Sequence, residues 1–297
     1  MHYPTIKQLR YFIALVEHNH FGQAAASCFV SQSAFSVAIK ELENILQGHL
    51  VDRTNKSVTV TNLGKETYRH AKIVLQELRN LIEIAQGNKQ PLSGKLALGI
   101  IPSIAPFILS EFMSSIEKKH PQLELILYED ITQNLYNKLM SGDIDVLLLA
   151  LPYALKNIST YPLFKDDFYL AYVENSKNIK KSKGKIEPID ESVILLEDGH
   201  CMREHVLSAC KLRSYNNVSK YSASSILTLI EMVKSDSGIT YLPKMSLSSA
   251  LVQESGLQLL PLDNQAYREI GLVWRKGSSR AKEFQLLAEF ISPNSKK

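Results

Sequence analysis

The sequence predicts a multidomain α/β protein in which a helical, hairpin-closed N-terminal unit is joined by one long helix to a two-lobed α/β domain. Three observations carry that expectation. Apolar residues recur at helical spacing through residues 6–46 and again through 63–85. The stretch Gly87-Asn88-Lys89-Gln90-Pro91-Leu92-Ser93-Gly94 then breaks the period with glycines and a proline, as a hinge does. Beyond it, short apolar runs alternate with helical patterns, which implies a sheet flanked by helices. We therefore divide the chain into residues 1–62, a linker helix with its hinge at 63–93, and a larger domain at 94–297. Within that domain one lobe takes about 94–164 and 267–297 and the other about 165–266.

In the first unit Leu9, Phe12, Ile13 and Val16 form one amphipathic stripe that ends near His18-Asn19-His20. A short run from Gln23 to Cys28 stops at Phe29-Val30. Ser31 then offers an N-cap for a third helix, whose buried stripe is Phe35, Ile39, Leu42 and Leu46. Gln32, Ser33, Ser36 and Lys40 occupy its other face. A helix, a short turn and a second helix with small polar residues at its exposed start meet the needs of a major-groove reader, whose side chains must reach base edges while backbone amides meet phosphate. Residues 50–53 and 58–61 read as a hairpin that places Arg53 and Lys56 where a wing touches phosphate. A winged helix-turn-helix follows, with a helical unit that merely packs on something as the plainer alternative. Asn62 is placed to cap the next helix, in which Ala71, Val74, Leu78, Leu81 and Ala85 form an a/d seam widened by Leu75 and Ile82. Such a seam zips against a second copy of the chain or packs on its own protein; we favour the second copy.

In the larger domain residues 95–101, 123–128 and 144–151 read as strands and 106–118 and 133–140 as helices, implying a mainly parallel sheet. Ligands sit at the carboxyl ends of such strands, where Pro102-Ser103 and Asp130-Ile131-Thr132 fall. A strand at 168–173 leads through a lysine-rich stretch, Lys177, Lys180, Lys181, Lys183 and Lys185, that reads as a solvated loop rather than a nucleic-acid patch. A strand at 193–196 runs straight into Glu197-Asp198-Gly199-His200-Cys201. A helix at 225–234, strands at 238–242 and 270–274, and a closing helix at 280–291 complete the series, with Arg268 just ahead of the last strand.

Composition narrows the class. The chain has 297 residues, 45% hydrophobic and 22% charged, with a net charge of +4, a pI of about 8.7 and a mean hydropathy of −0.09. That is a soluble globular balance, and no apolar run is long enough to cross a bilayer. Met1-His2-Tyr3-Pro4 lacks the pattern of a secretory signal, so a cytoplasmic location, where thiols stay reduced, is expected. The net charge permits an acidic partner without demanding one.

Of the three cysteines, Cys28 stands apart, while Cys201 and Cys210 share one short stretch with His200 and His205. The residues alone leave three readings open: a buried structural pair, a metal site, or a redox couple. Cys201 and His205, four apart, share a helix face, but Cys210 falls on the opposite one, which weighs against a metal.

Phe12, Ala24-Ala25, Ser31-Gln32, Ser36, Ile39, Leu42-Glu43, Leu50, Arg53 and Thr61, with Ser141-Gly142-Asp143-Ile144-Asp145 and the segment from Gly238-Ile239 to Leu242-Pro243, resemble the LysR-type transcriptional regulators nearly end to end. Residues 196–203 together with Cys210 resemble the sensing loop of the peroxide-responsive OxyR branch of that family. The resemblance implies a winged helix-turn-helix followed by a regulatory domain like a periplasmic binding protein. It implies a homotetramer, a dimer of dimers, that binds double-stranded promoter DNA, works with RNA polymerase and activates oxidative-stress genes. No cofactor, metal or catalytic residue is implied. Its ligand is hydrogen peroxide, with Cys201 as the peroxidatic cysteine and Cys210 as the resolving one in a reversible disulfide. His200, Thr132 and Arg268 match residues of the peroxide pocket, and Ser103 stands where the family usually has threonine. Arg203, a sequence neighbour of Cys201, is a further candidate to stabilise its thiolate. Ser33 and Ala34 replace the usual proline and threonine of the DNA-reading helix. A metabolite-responsive regulator and, further off, a thiol peroxidase are the competing functions.

If the segment is helical, nine residues part the two cysteines by roughly 13 Å and about half a turn. A disulfide needs Cα atoms within about 7 Å. Bond formation would therefore unwind the segment between them.

Overall fold

The computed structural model describes residues 2–53, 58–85, 90–182, 185–210, 217–262 and 266–291. The chain divides into two compact units, Met1–Gln90 with Met140–Asp143, and Pro91–Leu139 with Ile144–Lys297.

The first unit begins with α1 (Ile6–His18), α2 (Phe21–Ser27) and α3 (Gln32–Leu46). Each start is capped by a side chain. Thr5 and Gln8 form a reciprocal box in which Thr5 Oγ1 accepts from the Gln8 amide and Gln8 Oε1 from the Thr5 amide. His20 Nδ1 accepts from the amides of Gly22 and Gln23, and Ser31 Oγ from that of Ala34. Phe12, Leu15, Phe35, Ile39 and Leu42 are fully buried between the helices, and Tyr11 stacks on Phe35. The hairpin of β1 (Val51–Arg53) and β2 (Val58–Val60) follows, anchored by Glu43, whose buried carboxylate accepts from the Leu50 amide at 2.8 Å. Lys56 lies outside the described residues, as does the side chain of Arg53.

The long helix α4 (Asn62–Ala85) starts differently from expectation: Thr61, not Asn62, caps it, its Oγ1 accepting from the Gly64 amide at 3.0 Å. Ala71 is buried, whereas Val74, Leu81 and Ile82 are exposed and Leu78 is half-buried. The side chain of Ala85 lies outside the described residues.

The second unit runs β3 (Gly94–Ile100), α5 (Ala105–Lys119), β4 (Leu123–Glu129), α6 (Thr132–Ser141), β5 (Val146–Leu151), β6 (Ile158–Tyr172), β7 (Ile179–Ser182), β8 (Lys185–Pro188), β9 (Val193–Leu196), α7 (Cys201–Ala209), β10 (Val218–Ala223), α8 (Ile226–Lys234), β11 (Thr240–Pro243), α9 (Ala250–Gln253), β12 (Gln258–Pro261), β13 (Tyr267–Arg275) and α10 (Ala281–Ala288). Its main sheet is ordered β11-β6-β13-β5-β3-β4, with β12 also on β6. The expectation of a mainly parallel sheet is corrected here. The β3–β4 and β3–β5 ladders are parallel, but β13 returns from the C-terminal end of the domain to pair antiparallel with both β5 and β6. Chain reversal outside the sheet, not local pattern, sets that direction. The lysine-rich stretch, read as a loop, contains the antiparallel pair β7–β8.

Two apolar cores lie along this sheet. One is built on β3, β5, β13, α5 and α10, with Leu98, Leu147, Leu149, Ile270 and Phe284 fully enclosed. The other gathers β9, α8 and β11 around Ile194, Leu229, Ile230 and Leu242. The segment between the two cysteines is helical, as α7 (Cys201–Ala209), and this helix touches both cores. Cys201 belongs to the first core, whereas Met202 and Val206 belong to the second, with Cys210 packed against it.

Candidate functional site

The site forms where α5, α6 and α7 begin. Thr132 is the first residue of α6, Cys201 the first of α7, and Ser103 immediately precedes the first turn of α5. Helix starts present unpaired amides and partial positive charge, which favours an anion. Gly199 makes the approach to α7 feasible: its φ of 94° lies in the left-handed region, and a Cβ there would meet Ile131 Cδ1 at 3.1 Å.

Cys201 is buried. Burial pushes its thiol up, and the Thr132 hydroxyl, the Arg268 charge and the amides of Ala150 and Cys201 pull it back, the hydroxyl most strongly. Thr132 Oγ1 is itself fully enclosed and, among the described residues, makes no hydrogen bond of ordinary geometry. The two facts are compatible: a neutral sulfur is a weak acceptor, and a thiolate is a strong one. The enclosed hydroxyl is therefore a donor kept in reserve for negative charge.

Arg268, on β13, is fully buried and held on every side. Its Nε donates to Asp166 Oδ2 at 3.0 Å, Nη1 to Ser103 Oγ at 2.7 Å, and Nη2 to the Ser103 carbonyl at 2.9 Å. Asp166 is in turn anchored by the Met245 amide at 3.0 Å. This web fixes the Ser103 hydroxyl as an acceptor from Arg268, which leaves its own proton free to donate. A buried ion pair of this kind orients its neighbours at a desolvation cost, and losing one partner strands the other.

The structure thus brings Ser103, Thr132, Cys201 and Arg268 to one place. His200 is the N-cap residue of α7, half-buried, with its pKa held below the ordinary histidine value by burial against the opposing pull of Glu197. Arg203 turns elsewhere, donating to the Leu196 carbonyl at 3.2 Å and pairing with Asp198 at 3.0 Å. Cys210 caps the other end of α7, and burial pushes its thiol up to about 12. Asp166, the Ala150 amide and His205 in its packed role escaped sequence reasoning, because each enters through tertiary approach. Among the described residues no group of three or more His, Cys, Asp or Glu side chains could hold a metal ion.

In the N-terminal unit Gln32, Ser33, Ala34 and Lys40 are exposed on α3 and Ser36 is half-exposed, leaving the start of that helix open to a ligand.

Comparison with known proteins covers both units. Residues 6–65 match the bacterial regulatory helix-turn-helix protein model of the lysR family, and residues 89–295 match the LysR substrate binding domain. The HTH-type transcriptional regulator EstR of Acinetobacter baylyi is 34% identical over 97% of this chain and 96% of its own length. A hydrogen peroxide-inducible genes activator of Escherichia coli is 33% identical over 97% of this chain and 94% of its own length. Among solved structures, a full-length OxyR cysteine variant from Pseudomonas aeruginosa superposes with a TM-score of 0.78 at 30% identity, covering 98% of this chain and 95% of that one.

Proposed function

The chain belongs to the LysR family of bacterial helix-turn-helix transcriptional regulators, and on that premise we propose that it senses hydrogen peroxide through Cys201 and reports it to promoter DNA. One observation carries the reading: α7 sets Cys201 in one core, beside a buried hydroxyl and a locked arginine, and Cys210 in contact with the other. A structural pair of cysteines has no need of either neighbour.

The chemistry follows from those neighbours. Peroxide enters as a neutral molecule beside Ser103 and Thr132, which orient its oxygens. The Cys201 thiolate attacks one oxygen, the O–O bond breaks, and the hydroxide that leaves takes up a proton to become water. The sulfenic acid formed meets the Cys210 thiol, whose sulfur displaces the hydroxyl; that group departs as water with the Cys210 proton. The disulfide draws together ends that α7 holds roughly 13 Å apart, so the helix unwinds. Unwinding withdraws Cys201 from the first core and alters the surface between subunits.

On the DNA side, Gln32, Ser33, Ala34, Ser36 and Lys40 meet base edges and phosphate, Arg53 and Lys56 meet backbone, and the α4 seam of Ala71, Val74, Leu78, Leu81 and Ala85 pairs two subunits. Exposure of Val74 and Leu81 supports that last role. No described helix is long and apolar enough to cross a membrane, in keeping with a cytoplasmic regulator assembled as a dimer of dimers and acting with RNA polymerase.

The test compares promoter footprints of reduced and peroxide-treated wild type with Cys201→Ser, alongside peptide mass spectrometry. The expected result is a Cys201–Cys210 linkage and a footprint that shifts in wild type alone. A footprint that responds to peroxide equally in Cys201→Ser, or to a small metabolite irrespective of that substitution, overturns the proposal.

A further inference from the structure

His205 stands one turn along α7 from Cys201 and is buried. Both ring nitrogens face carbonyl oxygens: Nδ1 lies 2.7 Å from that of Cys201 and Nε2 lies 3.2 Å from that of Pro152. The first contact is internal to α7. The second reaches the residue that follows β5, a strand of the first core. The remainder of α7 packs on the second core through Met202 and Val206. Together with Cys201, the ring ties this helix to the lobe that encloses the thiol.

We propose that His205 is a positioning residue that pins α7 to the end of β5 in the reduced protein, and that the pin must release Pro152 before Cys201 can approach Cys210. A neutral imidazole carries a single N–H and can donate to one of the two carbonyls, and the pin to Pro152 is the tautomer that carries that proton on Nε2.

The groups facing the ring decide whether it charges. They are the charged Arg268 from β13 and the backbone of Cys201, Pro152 and Leu151. Burial first, and Arg268 after it, hold the ring's pKa below the ordinary histidine value, although the carbonyls pull the other way. In the released helix the ring returns towards about 6.5. Release therefore takes up protons, so the pin is at full strength above that value and weakens as pH falls through the lowered one. Acid favours release.

The consequence for signalling rests on the cysteine pairing proposed above; the pin itself does not. The experiment uses reduced full-length wild type, His205→Gln and His205→Ala. Hydrogen exchange of α7 amides is read at about pH 7.5 and about pH 5.5 and corrected for intrinsic rates. The rate of disulfide closure after peroxide is followed in the same proteins, with sulfenic acid formation timed separately in a Cys210→Ser background. We expect His205→Ala to raise exchange and closure about tenfold, the effect of one buried hydrogen bond. Wild type should exchange several-fold faster at the lower pH, while His205→Gln, which keeps a donor but cannot titrate, should hold its protection with no pH response. Sulfenic acid formation should change less than about twofold, because the pin acts after it. Equal α7 exchange in all three proteins, or wild-type exchange that slows in acid, overturns the pin. Should His205→Ala fail to fold, the pH series of wild type against His205→Gln decides. A pin that behaves as expected in a protein that forms no disulfide would sink the peroxide reading and leave the pin standing.

Discussion

Cys201 and Cys210 sit at the two ends of one short helix, yet their surroundings differ in kind. Burial pushes both thiols up. At Cys201 that push is opposed by a hydroxyl, a guanidinium and two amides; at Cys210 burial alone acts, and the thiol is pushed up to about 12. Neighbours, not residue type, set the two thiols apart. A thiol ringed by donors aimed at negative charge can become a nucleophile when an oxidant arrives. One half-buried against apolar side chains, with its thiol pushed up, stays protonated at neutral pH. Under the proposed peroxide reading, Cys201 would react first, and Cys210 would become available as α7 unwinds.

The largest expected effect that would break this contrast is at Arg268. Replacing it with alanine strands the Asp166 carboxylate and frees both Ser103 contacts, and should cost about 3–5 kcal/mol of stability on urea denaturation. A loss under about 1 kcal/mol would mean the web around Cys201 is slack, and the difference between the two cysteines slight.

Thr132→Val separates reactivity from stability. It removes the reserved hydroxyl while keeping its shape, so sulfenic acid formation should slow about tenfold or more, as the loss of a hydrogen bond to charge demands. Stability should hold or rise, because an enclosed hydroxyl that makes no hydrogen bond of ordinary geometry among the described residues is gone. An unchanged rate would place thiolate stabilisation elsewhere.

The smallest effect sharpens the Cys210 side. Its folded value of about 12 lies above the thiol's reference of 9.0, so the folded state holds the proton more tightly. That contribution is complete below the unfolded value and is lost as pH rises towards the folded one. Stability of the reduced protein should fall more steeply above about pH 9 in wild type than in Cys210→Ala. Alkylation by iodoacetamide at neutral pH should be slower at Cys210 in folded Cys201→Ser than in urea; equal rates in both would contradict its raised thiol.

Much of the first unit was legible because its signals are local. Period, caps and turn residues specify α1 to α3 within a few residues of each boundary, and Thr5 and Ser31 act through neighbours in sequence. The one slip there is similarly local: Thr61 and Asn62 are both competent caps, and the backbone selects Thr61. In the second unit the strands were visible but their order was not. The antiparallel insertion of β13 between β5 and β6 depends on chain reversal outside the sheet, and the lysine-rich composition of residues 177–185 hides the pairing of β7 with β8. At the candidate site the resemblance pointed to Ser103, Thr132, Cys201 and Arg268, which the fold gathers, and adjacency pointed to Arg203, which the fold turns to Asp198. Asp166 and the two-sided packing of His205 left no trace in a linear pattern, since their partners lie far away in sequence.

The sequence by itself determined that a helical reading head precedes a two-lobed α/β domain, and that two cysteines share one helix-forming stretch nine residues apart. Periodicity and spacing are properties of neighbours, so they survive without a fold. Only the tertiary structure decided that Cys201 lies in one core and Cys210 against the other, that Arg268 is locked between Asp166 and Ser103, and that the Thr132 hydroxyl is enclosed beside the Cys201 thiol. Those relations arise from packing distant segments together, and it is packing that turns two like thiols into unlike ones.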